Sequence, residues 1–98
     1  LAVLPNVEAR VITIPLADGG AIPFSRVAHS KYMIVDGKTL WLGTSNWRGG
    51  YLNDSRNLEL VVKDSDLAAR AATVWEHLWD SAYTAPLDIS KTYPKPRR

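Results

Sequence analysis

The chain has no cysteine, which excludes disulfide stapling and a cysteine-based zinc site. That absence leaves localisation open, because secreted and cytosolic proteins alike can do without the residue. No apolar run approaches the ~20 residues that a membrane-crossing helix requires. The opening Leu1-Ala-Val-Leu-Pro5 has neither the basic start nor the length of a signal peptide, so the expectation is a soluble chain. Internal repeats and low-complexity segments are also missing. What is present is an ordinary globular balance, 46% hydrophobic and 22% charged residues in a chain of 98. At this length folding buries only about 60 to 65% of the surface that the unfolded chain exposes, so a missing neighbour would matter to stability.

The cationic excess lies at one end. The net charge is +2, but Lys91, Lys95, Arg97 and Arg98 fall in the last eight residues, and without them eight bases face ten acids. Residues 89–98 are therefore set apart as a basic, proline-containing tail, expected to be extended and solvated. Four bases can neutralise phosphates but cannot choose a sequence, so the overall charge is weak evidence for a nucleic-acid partner.

Along residues 1–88 the pattern alternates between strands and loops before a helix. Val7 to Ile14 is rich in β-branched residues between Pro5-Asn6 and Pro15 and predicts a strand. A glycine- and proline-punctuated loop, Ala17 to Pro23, follows. Ala28 to Val35 predicts a second strand, and Asp36-Gly37 before Thr39-Leu-Trp-Leu42 is a hairpin signal, since these residues accept the positive φ of tight primed turns. Asn57 to Val62 is almost continuously apolar, the mark of a central strand. Asp64-Ser-Asp66 offers capping groups for a helix whose Leu67, Ala71, Val74 and Leu78 recur at helical spacing, widened by Ala68, Trp75 and Trp79 and ending near Asp80 to Tyr83. Core packing is the expectation for Trp75 and Trp79. His77, with no carboxylate or cysteine at metal spacing, reads as a surface or packing residue. The resulting fold class is α/β, or an α+β fragment, with strands and a motif-bearing hairpin packed against a C-terminal helix.

The chemistry gathers on that hairpin. His29-Ser30-Lys31, Asp36 and Gly43-Thr44-Ser45-Asn46 bring a proton carrier, a fixed cation, and amide and hydroxyl donors within eighteen residues. Side chains alternate faces along a strand, so His29 and Lys31 point one way and Ser30 the other. Thr44 and Asn46 repeat that two-residue spacing and are expected to converge on the same pocket, while Gly43 permits close backbone approach. Asp36 occupies the turn and is expected to brace rather than react.

Phosphodiester cleavage needs neutralisation of the non-bridging oxygens, a nucleophile, and an acid for the leaving oxygen. Lys31 is a compact donor for the first task, with Thr44 and Asn46 as further phosphate-binding groups. Imidazole serves as nucleophile or as general acid near neutrality, and His29 carries that part. A carboxylate normally fixes the tautomer of such a histidine. Glu59 is the candidate, because a carboxylate within an apolar strand costs several kcal/mol unless paired. The alternative for Glu59 is a surface carboxylate on an edge strand.

His-x-Lys, four residues, Asp, six residues, Gly-Thr-x-Asn resembles the HKD motif of the phospholipase D superfamily, and Glu59 falls where that family places its histidine-orienting acid. The resemblance runs from about Asn6 to Tyr83 and leaves only the tail unmatched. It implies a phospholipase D-like sandwich, of which residues 1–88 would be the C-terminal portion carrying one HKD motif. It implies further a phosphodiester hydrolase or transferase that works without a metal or other cofactor, through a phosphohistidine, in a site built from two HKD copies. By likeness to the C-terminal copy, His29 would be the acid, with the nucleophile on an N-terminal half; in single-motif members a second copy of the chain supplies it. The chain begins immediately before the motif strand and lacks the units that open each family repeat. A fragment of a larger protein is therefore expected over a complete single-motif dimer.

The run Phe24-Ser-Arg-Val-Ala-His29, with Asn46-Trp-Arg-Gly-Gly-Tyr51, is most similar to the branch of five-prime single-strand exonucleases and poxvirus-type relatives, and less similar to cardiolipin synthases. The acid at Asp36 separates the chain from the tyrosyl-DNA phosphodiesterase branch. Trp47, Arg48 and Tyr51 are candidate substrate contacts, with packing as the alternative for the aromatics and a solvated side chain for Arg48. The partner is a phosphodiester, with single-stranded nucleic acid and phospholipid both in play. The competing function class is a non-catalytic structural or phosphate-binding half-module.

Overall fold

A computed structural model describes residues 3–94. The described residues divide into two compact units, one within 3–28 and 77–94 and the other of residues 29–76.

The second unit holds the motif. Strands β2 (Tyr32–Val35), β3 (Thr39–Gly43) and β4 (Glu59–Lys63) form an antiparallel sheet in the order β2-β3-β4, with a short helix α1 (Gly49–Asn53) between β3 and β4. The hairpin forms as the sequence predicts. Asp36 and Gly37 both take positive φ, 52° and 64°, and Lys38 N donates to Val35 O at 3.0 Å, which turns the chain with the twist that adjacent strands require. The predicted strand from Ala28 starts later, at Tyr32, although the ladder continues one step back through Gly43 N donating to Lys31 O at 3.1 Å.

Helix α2 (Ser65–Trp79) follows β4 and runs across the division between the units. Asp64 is its cap: its Oδ1 accepts from Asp66 N at 2.9 Å and from Leu67 N at 3.0 Å, satisfying two of the donors that a helix start leaves open. The core of this unit is small, centred on Leu40 of β3 and Ala68 of α2, the latter wholly buried.

Two expectations are corrected here. β4 is an edge strand among the described residues, not a central one, and its Leu60 and Val61 are exposed. An apolar run states only that both faces suit a nonpolar neighbour, not that this chain supplies two. In α2 it is the alanine edge of the predicted stripe that is most covered: Ala68 is buried and Ala71, with Ala72 beside it, half-buried. Leu67, Val74 and Leu78 are exposed, Val74 by 59%. The burial in this helix therefore falls chiefly on small side chains, and the larger ones beside them stay in solvent.

In the first unit β1 (Arg10–Ile12) pairs antiparallel with β5 (Thr84–Pro86). β1 is shorter than the predicted Val7–Ile14, though Thr13 N to Tyr83 O and Leu87 N to Ala9 O extend the pairing at both ends. Arg10 ties the unit together: its guanidinium lies 4.4 Å from the centre of the Trp79 ring, donates to Trp79 O at 3.0 Å and pairs with Glu8 at 2.9 Å. The tail begins with a turn in which Asp88 Oδ1 accepts from Ser90 N and Oγ and Tyr93 Oη accepts from Asp88 N. Those Ser90 hydrogen bonds hold the Asp88 carboxyl below its ordinary value. Lys95, Pro96, Arg97 and Arg98 lie outside the described residues.

Candidate functional site

A cavity of about 440 Å³ opens in the second unit, lined by Ser30, Lys31, Tyr32, Trp41, Asn46, Trp47 and Trp75. It brings together two of the predicted phosphate ligands, Lys31 from the approach to β2 and Asn46 from the turn after β3. Ser30 and Lys31 both line it. The strict alternation expected for 28–31 does not hold there because regular pairing begins only at Tyr32. The Lys31 ammonium donates to His29 O at 2.7 Å, which folds the long side chain back along its own backbone. An ammonium has three donors, so two remain for an anion. Burial pushes the Tyr32 phenol above its ordinary value.

His29 is exposed and is not among the lining residues. Its backbone carbonyl, held by Lys31, fixes its place next to the cavity. Among the described residues no side-chain hydrogen bond to its imidazole is present.

Glu59 is engaged elsewhere. It sits opposite Gly43 across the β3–β4 ladder, and its Oε1 accepts from Ser45 Oγ and from Ser45 N, the latter at 3.3 Å. Ser45 is only 2% exposed and is the buried polar residue of the site. Gly43 makes this arrangement possible, since a Cβ there would overlap the Glu59 carboxylate and come within 2.6 Å of the Trp41 ring. The requirement at this position is space, not a positive φ.

Thr44 and Asp36 are placed apart from the phosphate ligands. The Thr44 hydroxyl donates its one hydrogen to Asn57 Oδ1 at 2.9 Å and accepts from Leu58 N at 3.1 Å, so it secures the start of β4. Asp36 is at the far end of the hairpin, five residues beyond Lys31 and roughly 16 Å along an extended chain.

Of the candidate substrate contacts, Trp47 lines the cavity, whereas Tyr51 lies on α1 and Arg48 just before it. Arg48 is the cap residue, and its carbonyl accepts from Tyr51 N at 2.9 Å. Tyr51 O in turn accepts from Asn57 Nδ2 at 2.5 Å. Trp47 is 66% exposed and meets Trp41 edge to face, with ring centres 5.1 Å apart and planes at 63°.

Three contributors escaped sequence reasoning. Ser45 stands in the motif with no task assigned to it, although alternation from Gly43 puts it on the face of Glu59. Trp41 and Tyr32 read only as strand residues; nothing in the sequence announces that the chain would curl Asn46 and Trp47 back beside them.

Residues 4–79 match the family described as "Cardiolipin synthase, PLD-like domain". The human 5'-3' exonuclease PLD4 is 40% identical over 91 residues, which is 85% of this chain and 18% of that protein. The virion nicking-joining enzyme of vaccinia virus (strain Western Reserve) is 37% identical over 91 residues, 89% of this chain and 21% of that protein. The probable phospholipase D F09G2.8 of Caenorhabditis elegans is 35% identical over 82 residues, 84% and 15% respectively. The chain thus spans between 15% and 21% of the length of these curated relatives.

Proposed function

The chain belongs to the phospholipase D-like family, and from that premise we propose that it supplies one half of a phosphodiesterase active site that works through a phosphohistidine. The observation that carries the reading is Lys31 and Asn46 lining one cavity directly beside His29.

In this reading the two unused donors of Lys31 and the amide of Asn46 bind the non-bridging oxygens and stabilise the charge that grows on them as phosphorus becomes five-coordinate. A histidine nitrogen from a second HKD copy attacks phosphorus, forming the N–P bond as the bond to the leaving oxygen breaks. His29 gives that oxygen its proton. Neutral His29 then takes a proton from a water or alcohol oxygen, which attacks phosphorus and displaces the first histidine. Glu59 works through Ser45, fixing the backbone from which Asn46 projects, and Asp36 sets the hairpin. The second copy comes from an N-terminal half of the same polypeptide or from another chain. A domain over residues 1–88 with a basic appendage at 89–98 fits this division of labour.

The test uses the full-length polypeptide with bis-p-nitrophenyl phosphate and labelled single-stranded DNA in EDTA. His29→Ala and Lys31→Ala are each expected to lower turnover by at least 100-fold, in the range for removal of an acid–base or charge-stabilising group. Activity that survives both substitutions overturns the assignment, and strong inhibition by EDTA overturns the metal-independent route.

A further inference from the structure

The cavity has more apparatus than a phosphate needs. Besides Lys31 and Asn46, its walls are the rings of Tyr32, Trp41, Trp47 and Trp75. A second cleft, of about 460 Å³, adjoins it through the shared Tyr32 and Trp75. Volumes of this order suit a bound small molecule or a segment of a polymer. Trp47 is the unusual member: a large ring two-thirds exposed, yet propped edge to face by Trp41. An indole held at a fixed tilt with an open face is a stacking platform.

We propose that Trp47, braced by Trp41, is a stacking subsite for a nucleobase next to the phosphate held by Lys31 and Asn46. The inference rests on that phosphate site.

The lining chemistry decides between occupants. A quaternary ammonium headgroup also seeks aromatic walls, but Lys31 is the one charged side chain lining the cavity, and it repels such a cation while attracting the phosphate. An acyl chain needs burial along its length, whereas the open face of Trp47 covers only one side of a ligand. A base meets both conditions, with one face on the indole and its polar edge left in water. Stacking itself tolerates every base, because every base has a π face.

Two arms test the subsite in the full-length polypeptide. In the first, kcat/KM is compared between an oligothymidylate and an abasic oligomer of equal length and phosphate number. Trp47→Ala is expected to reduce the preference for the base-bearing oligomer about tenfold, and Trp47→Phe to keep most of it. An unchanged preference in Trp47→Ala overturns the proposal. In the second, His29→Ala protein is titrated by tryptophan fluorescence with the same oligomers and with a short-chain phosphatidylcholine. Weaker oligothymidylate binding on adding Trp47→Ala supports the subsite. Dependence of only the phosphatidylcholine binding on Trp47 overturns it in favour of a lipid site. A wild-type protein that hydrolyses neither oligomer defeats the phosphodiesterase reading, while the binding arm still decides the stacking.

Discussion

Replacing Gly43 by alanine tests whether the site is built around the Glu59–Ser45 pair. The new Cβ would overlap the Glu59 carboxylate and stand 2.5 and 2.6 Å from two Trp41 ring carbons. Overpacking of that kind costs about 1 to 3 kcal/mol. Moving Glu59 also breaks its hydrogen bonds with Ser45, whose burial makes the loss worth about 1.5 to 3 kcal/mol for a bond to a charged group. Gly43→Ala is therefore expected to destabilise by about 3 kcal/mol or more. Glu59→Ala alone removes the same bond and leaves the Ser45 hydroxyl without its acceptor, at about 2 kcal/mol. In the double variant that bond is lost only once and the carboxylate no longer obstructs the Cβ, so the effects should fall short of their sum by about 2 kcal/mol. Urea unfolding of wild type, both single variants and the double variant measures the coupling. Additivity within about 0.5 kcal/mol would refute the reasoning, because it would mean that Gly43 is not reserved for Glu59.

Two further outcomes follow from the same unit. Asp64→Ala should destabilise by about 1 kcal/mol, with Asp64→Ser recovering most of it, because both donors that Asp64 satisfies at the start of α2 then turn to water; thermal unfolding followed by circular dichroism should show a drop of about 4 to 8 °C. The Tyr32 phenol, raised by burial, favours its neutral form in the fold. A raised value means that its contribution is complete below the unfolded phenol's pKa of about 10 and is lost as pH climbs through the folded one, so wild type should lose stability relative to Tyr32→Phe only above about pH 10, as read by urea unfolding across that range. Parallel curves for the two proteins would contradict it.

How much of this was legible in the sequence depends on the range over which each signal acts. The Asp36-Gly37 turn and the Asp64 cap are local decisions, made by residues that either accept a positive φ or donate an oxygen to the next turn, and both appear where the residues put them. The grouping of Lys31 with Asn46 was legible too, because a hairpin fixes which residues lie side by side. Burial is a different matter, since it depends on what comes to lie over a face. Leu67, Val74 and Leu78 have the right spacing for a core, but of the predicted stripe it is Ala68 that is buried, and helical spacing alone does not say which edge of a stripe will be covered.

The same distinction separates the partners of Glu59. Glu59 lies exposed on an edge strand, the alternative that the sequence left open for it, so burial does not demand a partner; it takes one all the same, and what the sequence does not say is which of several polar groups within reach that will be. The ladder supplies the answer, because pairing Glu59 with Gly43 leaves a gap two residues short of Ser45 on the same face, and a serine hydroxyl is the right length to fill it. Ser45 is buried as a result, and the backbone on either side, Thr44 toward β4 and Asn46 toward the cavity, is held between two hydrogen-bonded anchors. Asn46 thus follows directly on a residue whose hydroxyl and backbone N–H are both held by Glu59. The carboxylate that the motif singles out is therefore bonded to a serine to which the motif assigns no task.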